Sequence, residues 1–249
     1  MKREDFEALL STELGPTEAE AVAVERQRSA FLTRFGTASG VVATIDAILA
    51  DEVWLEEVAH DSCRHALGFD KLVLLKCGDA GQLRLHVWWT AGRRAGEHIH
   101  GHRFLFESVL VTGRLSTELF AEDPAGLRCD AYRESSTEAA RRWTFEPDGK
   151  RSVTRVATLE LATGSRYVLT PEILHRAVVP ANVLTMTLLL QTRLTRHWSP
   201  VLVPEGVAPP TSAPQRAFEP SAAAAILSRI RSSLLALGPA GTDGAAARV

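Results

Sequence analysis

The chain has 249 residues, 45% of them apolar and 23% charged, with a formal net charge of −2. That length supports one large domain or two small ones around a real core, and the near-neutral balance removes any general attraction to nucleic acid or anionic membrane. The three cysteines, Cys63, Cys77 and Cys129, contain no Cys-x-x-Cys pair, which excludes a zinc knuckle or a thioredoxin-like motif. No basic stripe interleaves with aromatic residues. The N-terminus lacks an apolar signal core, and no window reaches the ~18 apolar residues of a membrane span. A cytoplasmic protein is expected, with no nucleic-acid or membrane partner.

In chain order, residues 1–69 read as helical from the spacing of apolar positions. REDFEALLSTEL puts Phe6, Leu9, Leu10 and Leu14 at helical intervals. PTEAEAVAVERQRSAFLTRFG opens at Pro16-Thr17, is rich in helix formers and stops at Gly36, and the pattern then continues to Gly68. These segments are expected to form a helical layer packed on the remainder of the chain.

The texture changes at about Lys71. In LRLHVWW, Leu83, Leu85, Val87 and Trp89 alternate with Arg84, His86 and Trp88, the period of a strand. SVLVTGRLSTELF reads as strand, glycine turn, strand. RSVTRVATLELATGSRYVLTPEILHRAVV and NVLTMTLLLQTRLTR continue in the same style. Many short strands with no long helix between them predict an antiparallel sandwich or barrel over residues 70–198. Residues 199–249 read as a proline-rich linker or surface segment, a C-terminal helix in EPSAAAAILSRIRSSLLALG, and a disordered tail.

Three of the eight histidines fall within five residues, His98, His100 and His102, in AGEHIHGH. On a strand, residues two apart share a face, so two of these imidazoles can chelate one ion if a third ligand arrives from elsewhere. His175, in GSRYVLTPEILHRAV, is the best such candidate. Arg93 and Arg94, in the turn before the cluster, read as a solvated turn or as a gate for an anionic substrate. His86 reads as a structural histidine.

Taken together, His100-x-His102-x4-Glu107-x5-Gly113 followed by Gly164-x6-Pro171-x3-His175 resembles the two motifs of the cupin superfamily. The Trp-ended strand, the Ile-His-x-His core and the Gly-x-Leu strand pair are similar to its cysteine dioxygenase-like branch. The resemblance covers roughly residues 70–195. It implies a cupin-type antiparallel β-barrel (jelly roll), here with an N-terminal helical layer and a C-terminal helix. It further implies Fe(II) held by His100, His102 and His175, with positions open for substrate and O2. Two registers are open. Counting back from Ile99 selects His100 and His102, whereas counting forward from Trp89 selects His98 and His100. The first is preferred because it puts Glu107 near the usual cupin glutamate position.

The chain departs from that branch at several places. Glu107 stands where the cysteine-specific enzymes carry a cysteine, no tyrosine follows His175, and the carboxylate-holding arginine has no counterpart in DKLVLLKCG. Cysteine itself is therefore not the expected substrate. The implied activity is a non-haem iron dioxygenase acting on a small thiol- or carboxylate-bearing metabolite with O2. The alternatives are a non-oxidative metal-dependent isomerase, lyase or decarboxylase, and a metal-free ligand-binding module. The site residues expected are His100, His102, His175 and His98 at the metal and Glu107, Tyr167 and Arg176 in catalysis. Fe(II) is the first choice of ion, with Mn, Ni, Co, Cu and Zn also compatible with imidazole ligands. A homodimer is allowed.

Overall fold

A computed structural model describes residues 2–14, 30–65, 67–78, 81–90, 97–137 and 141–238. Four helices lie within these residues: α1 (Arg3–Leu14), α2 (Ala38–Leu49), α3 (Glu52–Asp61) and α4 (Pro220–Ala236). Thr37 opens α2 by accepting from the Gly40 N–H at 3.0 Å, and Asp51 opens α3 by accepting from the Trp54 N–H at 3.0 Å. Pro220 begins α4, where its missing N–H costs nothing. Of the helix predicted from Pro16, residues 16–29 lie outside the described residues, while 30–35 are helical. The predicted tail beyond 238 also lies outside them. No described helix is long and apolar enough to cross a membrane.

Twelve strands make up the rest: β1 (Cys63–Arg64), β2 (Asp70–Lys76), β3 (Gly81–Trp88), β4 (Ile99–His100), β5 (Phe106–Thr112), β6 (Arg114–Thr137), β7 (Arg142–Ala162), β8 (Arg166–Leu169), β9 (Leu174–Val178), β10 (Thr185–Thr192), β11 (Ser199–Pro204) and β12 (Ala213–Pro214). They form two antiparallel sheets, β1-β2-β3-β10-β5-β8 and β11-β4-β9-β6-β7-β12. From β3 to β11 the chain changes sheet at every connection except the β6–β7 hairpin. The result is β3-β10-β5-β8 against β4-β9-β6-β7, the strand order of a jelly roll. The fold is mainly β, with helices at both ends of the chain.

Alternation along β3 and β10 explains where the core sits. Leu83, Leu85 and Val87, with Met186, Leu188 and Leu190, point out of the first sheet and bury against Ile45, Ile48, Trp54, Val58, Leu227 and Ile230 of the helices. The largest apolar core therefore lies between helices and sheet. The opposite face of the same strands carries Gln82, Arg84, His86, Thr187 and Gln191 toward the second sheet. Only smaller apolar clusters lie elsewhere. Phe104, Phe106, Leu169 and Leu189 form one, and Ile99, Cys129, Ala131, Val153, Leu174 and Leu202 form another.

SVLVTGRLSTELF is strand, glycine turn, strand, but its two strands do not pair with each other. β5 pairs with β8 and β10, β6 pairs with β7, β9 and β11, and Gly113 turns the chain from one sheet into the other. Gly113 has φ +91°, and a Cβ there would collide with the Leu184 carbonyl oxygen and stand 2.6 Å from Thr185 Oγ1. Gly113→Ala should therefore cost about 1–3 kcal/mol through backbone strain. A thermal melt checks this, and an unchanged midpoint would contradict it.

Two further segments differ from expectation. The proline-rich stretch after Trp198 begins as β11, a buried strand bonded to both β4 and β6, with Pro200 and Pro204 at or next to its ends. The polar run through residues 120–150 is the long β6–β7 hairpin. Its Asp-Pro-Ala-Gly and Pro-Asp-Gly sequences, turn signals by composition, sit at register shifts between Glu122 and Leu127 and between Asp130 and Tyr132.

Candidate metal centre

β4 and β9 are short antiparallel neighbours in which His100 pairs directly with His175. His102 comes two residues later, as the chain leaves β4. The three rings converge, with centroids 4.4 Å apart for His100–His175, 4.8 Å for His102–His175 and 5.1 Å for His100–His102. One nitrogen from each lies within 4.8 Å of the others, and His102 Nε2 faces His175 Nε2 at 3.4 Å. Two nitrogens each about 2.1 Å from one ion at the tetrahedral angle would stand about 3.4 Å apart. The His102–His175 pair stands at that spacing, and His100 would close on the same ion by a small shift of its ring.

The protonation states also suit an ion. His100 Nδ1 lies 3.0 Å from the His98 carbonyl oxygen. A carbonyl only accepts, so Nδ1 is the donor and Nε2 is the nitrogen left to face an ion. Burial, then the neighbouring rings, holds His102 well below the usual imidazole range. Burial and His100 do the same to His175, opposed in part by backbone groups of Ile173 and His100. His175 Nδ1 is buried and makes no well-formed hydrogen bond among the described residues. Three convergent imidazoles with no carboxylate among them fit a divalent ion of the borderline kind.

Aromatic rings wall one side. Phe106 meets His102 edge-on at 4.8 Å and lies 6.4 Å from His175, while Phe104 lies 5.2 Å from His102. Tyr167 stands behind this wall, 5.8 Å from Phe106. Burial pushes its hydroxyl up to about 12 despite a hydrogen bond with Ser108, so it is a neutral phenol at working pH.

Other expected site residues are placed elsewhere. His98 is outside the converging set and contributes only its carbonyl to His100. Glu107 does not reach the rings. It pairs with Leu190 and shares the helix-facing side of β5 with Val109, because Phe106 takes the inward position and strand neighbours alternate. Arg176 is the next residue after His175 and so faces away from the site. Its Nε donates to Glu118 at 2.7 Å, and Glu118 also accepts from Arg155 at 2.6 Å. The Arg93–Arg94 turn lies outside the described residues.

The folded chain adds groups that spacing alone did not single out. Glu97 accepts from the Ala177 N–H at 3.0 Å, and burial raises its carboxyl against the pull of His100. Burial likewise raises Glu134, against His100, Arg103 and Lys71. Glu97 stands in the histidine run itself and was legible there. Glu134 lies in the outer part of the β6–β7 hairpin, beyond the stretches read as strands. Across the interior, on the first sheet, burial lowers Lys71 to about 8 and Arg84 to about 9, so both remain protonated at neutral pH.

His86 and His65 belong to the same interior. His86 packs 4.8 Å from Phe69 and has a buried Nε2 with no partner among the described residues, and His65 stacks on Phe69 at 4.5 Å. Burial holds both well below 6.5. On acidification the unfolded chain takes up these protons first, so the stability present above pH 6.5 is lost as the pH falls toward the folded-state values. Each contributes a slope of up to about 1.4 kcal/mol per pH unit. Urea melts of metal-free protein should weaken below that pH, and His86→Phe should flatten the slope. An identical pH profile would contradict this.

No family model matches the chain, and no curated protein does. Solved structures to which the chain is similar include Drosophila melanogaster CENP-C bound to CAL1, at 9% identity over 56% of this chain and 90% of that one, with a TM-score of 0.31. A cupin-like protein from Thermotoga maritima is similar at 11% identity over 57% and 86% of the two chains, TM-score 0.31. Hydroxypropylphosphonic acid epoxidase from S. wedmorenis is similar at 10% identity over 74% and 88%, TM-score 0.31.

Proposed function

We propose that the chain is a cupin-type metalloenzyme, a non-haem Fe(II) oxygenase of the dioxygenase kind acting on a small carboxylate- or thiol-bearing metabolite. The observation that carries this reading is the meeting of His100, His102 and His175, from two distant parts of the chain, on the inner face of a jelly roll. The order of the two cupin-like motifs supports the same reading. Three imidazole donors leave about half of a six-coordinate ion's positions for other ligands. Fe(II) bound there supplies the electrons for O2 activation and a Lewis acid that orients the substrate.

The chain's own residues supply the rest. The His98 carbonyl fixes the His100 tautomer. Phe104 and Phe106 exclude water from one side of the rings. Glu97, raised by burial, is a carboxyl able to hold a proton beside His100. Glu107, turned toward the helices, takes no part.

The test is an oxygen electrode with Fe(II)-loaded protein and a panel of small thiols and carboxylates. O2 uptake matched to substrate loss, and abolished in His100→Ala, is the expected result. Turnover without O2 uptake would replace this reading with a non-oxidative isomerase, lyase or decarboxylase. The absence of both bound metal and turnover would reduce the protein to a ligand-binding module.

A further inference from the structure

The face of the first sheet opposite the imidazoles carries more positive charge than its own chain neutralises. Arg84 points inward from β3, between Leu83 and Leu85, which face the helices. Its guanidinium lies over the Phe104 ring at 5.3 Å, and Phe104 in turn contacts His102. The Gln82 side-chain carbonyl, in the orientation that satisfies both groups, accepts from Arg84 Nε at 3.0 Å. That contact is neutral. The charges that act on Arg84 most are Arg103, which repels it, and the Cys63 thiol. Lys71, paired with His86 on the next strand, lies 6.0 Å from the Trp143 ring and is repelled by Arg84 and Arg103. Neither Arg84 nor Lys71 forms an ion pair among the described residues. Glu134 is the acid whose field reaches Lys71, and burial raises it toward its neutral form. Arg103 is held by the Ser136 carbonyl at 2.9 Å.

Arg84 and Lys71 are half-buried cations with no acid paired to either among the described residues, and two such charges on one polar interior are relieved most simply by a bound anion carrying more than one charge. We propose that the space between the sheets is a site for a small doubly charged oxyanion, a dicarboxylate or a phospho group, held by Arg84 and Lys71 opposite the three imidazoles. This deepens the proposed function by naming the substrate class: an acid with two negative charges, spanning from the cationic sheet to the imidazole sheet. Arg84 would be the specificity residue, since a guanidinium grips a carboxylate or phosphate through two parallel hydrogen bonds.

The experiment measures thermal midpoint and calorimetric binding on the full chain, as purified and after chelation. The probes are succinate, inorganic phosphate, acetate and uncharged succinamide. Succinate or phosphate should bind and raise the midpoint, acetate should bind more weakly, and succinamide should not bind. Whichever dianion binds tighter distinguishes the dicarboxylate from the phospho group. Arg84→Met and Lys71→Met should each lose about tenfold or more in dianion affinity, yet melt no lower than wild type without ligand, because each removes a half-buried charge that no acid pairs. Arg84→Lys, which keeps the charge, should retain part of the binding. No dianion binding to wild type, or equal binding to the Met variants, would overturn the proposal. So would Met variants that bind dianions normally and melt lower, since the cations would then be structural. His100→Ala separates the two readings. It should abolish metal loading while leaving dianion binding to chelated protein intact, so failure of the metal site would not mask this one.

Discussion

His175→Ala should leave the protein folded but weaken divalent-ion binding by about a hundredfold or more, beyond the effect of losing a supporting hydrogen bond. The reason is geometric. His175 is the ligand that comes from the second motif, and its ring faces both His100 and His102, at 4.4 and 4.8 Å between centroids. Its removal leaves two imidazoles that lie close in sequence, an arrangement any flexible loop can offer. His98→Ala should change affinity little, because that residue supplies a carbonyl, which alanine retains. Titration with Co(II) or Zn(II) followed by calorimetry checks both. Equal losses from His98→Ala and His175→Ala would show that the cluster binds as a loose histidine run. The affinity should also fall with acid, since protonated imidazole cannot ligate.

The second large effect concerns stability. Trp54→Ala should cost about 3–5 kcal/mol, as expected for deleting a large buried aromatic side chain. Trp54 is 1% exposed, packs between the helices and the outer face of the first sheet, and donates from Nε1 to the Leu74 carbonyl at 2.7 Å. Trp54→Phe should cost less, about 1–3 kcal/mol, part of it from leaving that carbonyl unpaired. The comparison tests whether the helical layer is part of the folding unit, because the site's polar interior contributes little apolar burial. Denaturant melts should show one cooperative transition moving to lower denaturant. A separate early transition, with the β-sheet signal unchanged, would mean that the helices are an accessory.

Much of this architecture was legible in the sequence because alternation was clear where one strand face is apolar. Leu83, Leu85 and Val87 announced β3, and Met186, Leu188 and Leu190 announced β10. What alternation could not say is which body covers the apolar face. The largest core is the one between the helices and the first sheet, and the inward face of that sheet is polar. The outer part of the long hairpin was illegible because its faces are largely exposed and its Pro and Gly residues sit in bulges. The β11 strand was hidden by its two prolines.

At the site, spacing left two registers open and the cupin resemblance favoured one; the pairing of His100 with His175 puts His102 rather than His98 among the converging rings. Glu107 misled because a motif fixes sequence distance, whereas the face a strand residue occupies changes with every single-residue step. Arg176 misled in the same way, one residue past a ligand. Glu134, Lys71 and Arg84 come from separate strands, and only the folded sheets bring them together.

The most direct test of the central claim is a crystal grown with Co(II) or Zn(II) and probed by anomalous scattering at the metal edge. One ion per chain is expected, bonded to a ring nitrogen of His100, His102 and His175 at about 2.0–2.2 Å, with its remaining positions filled by small ligands. An ion bound elsewhere, or three rings that stay apart in the presence of saturating metal, would contradict the account.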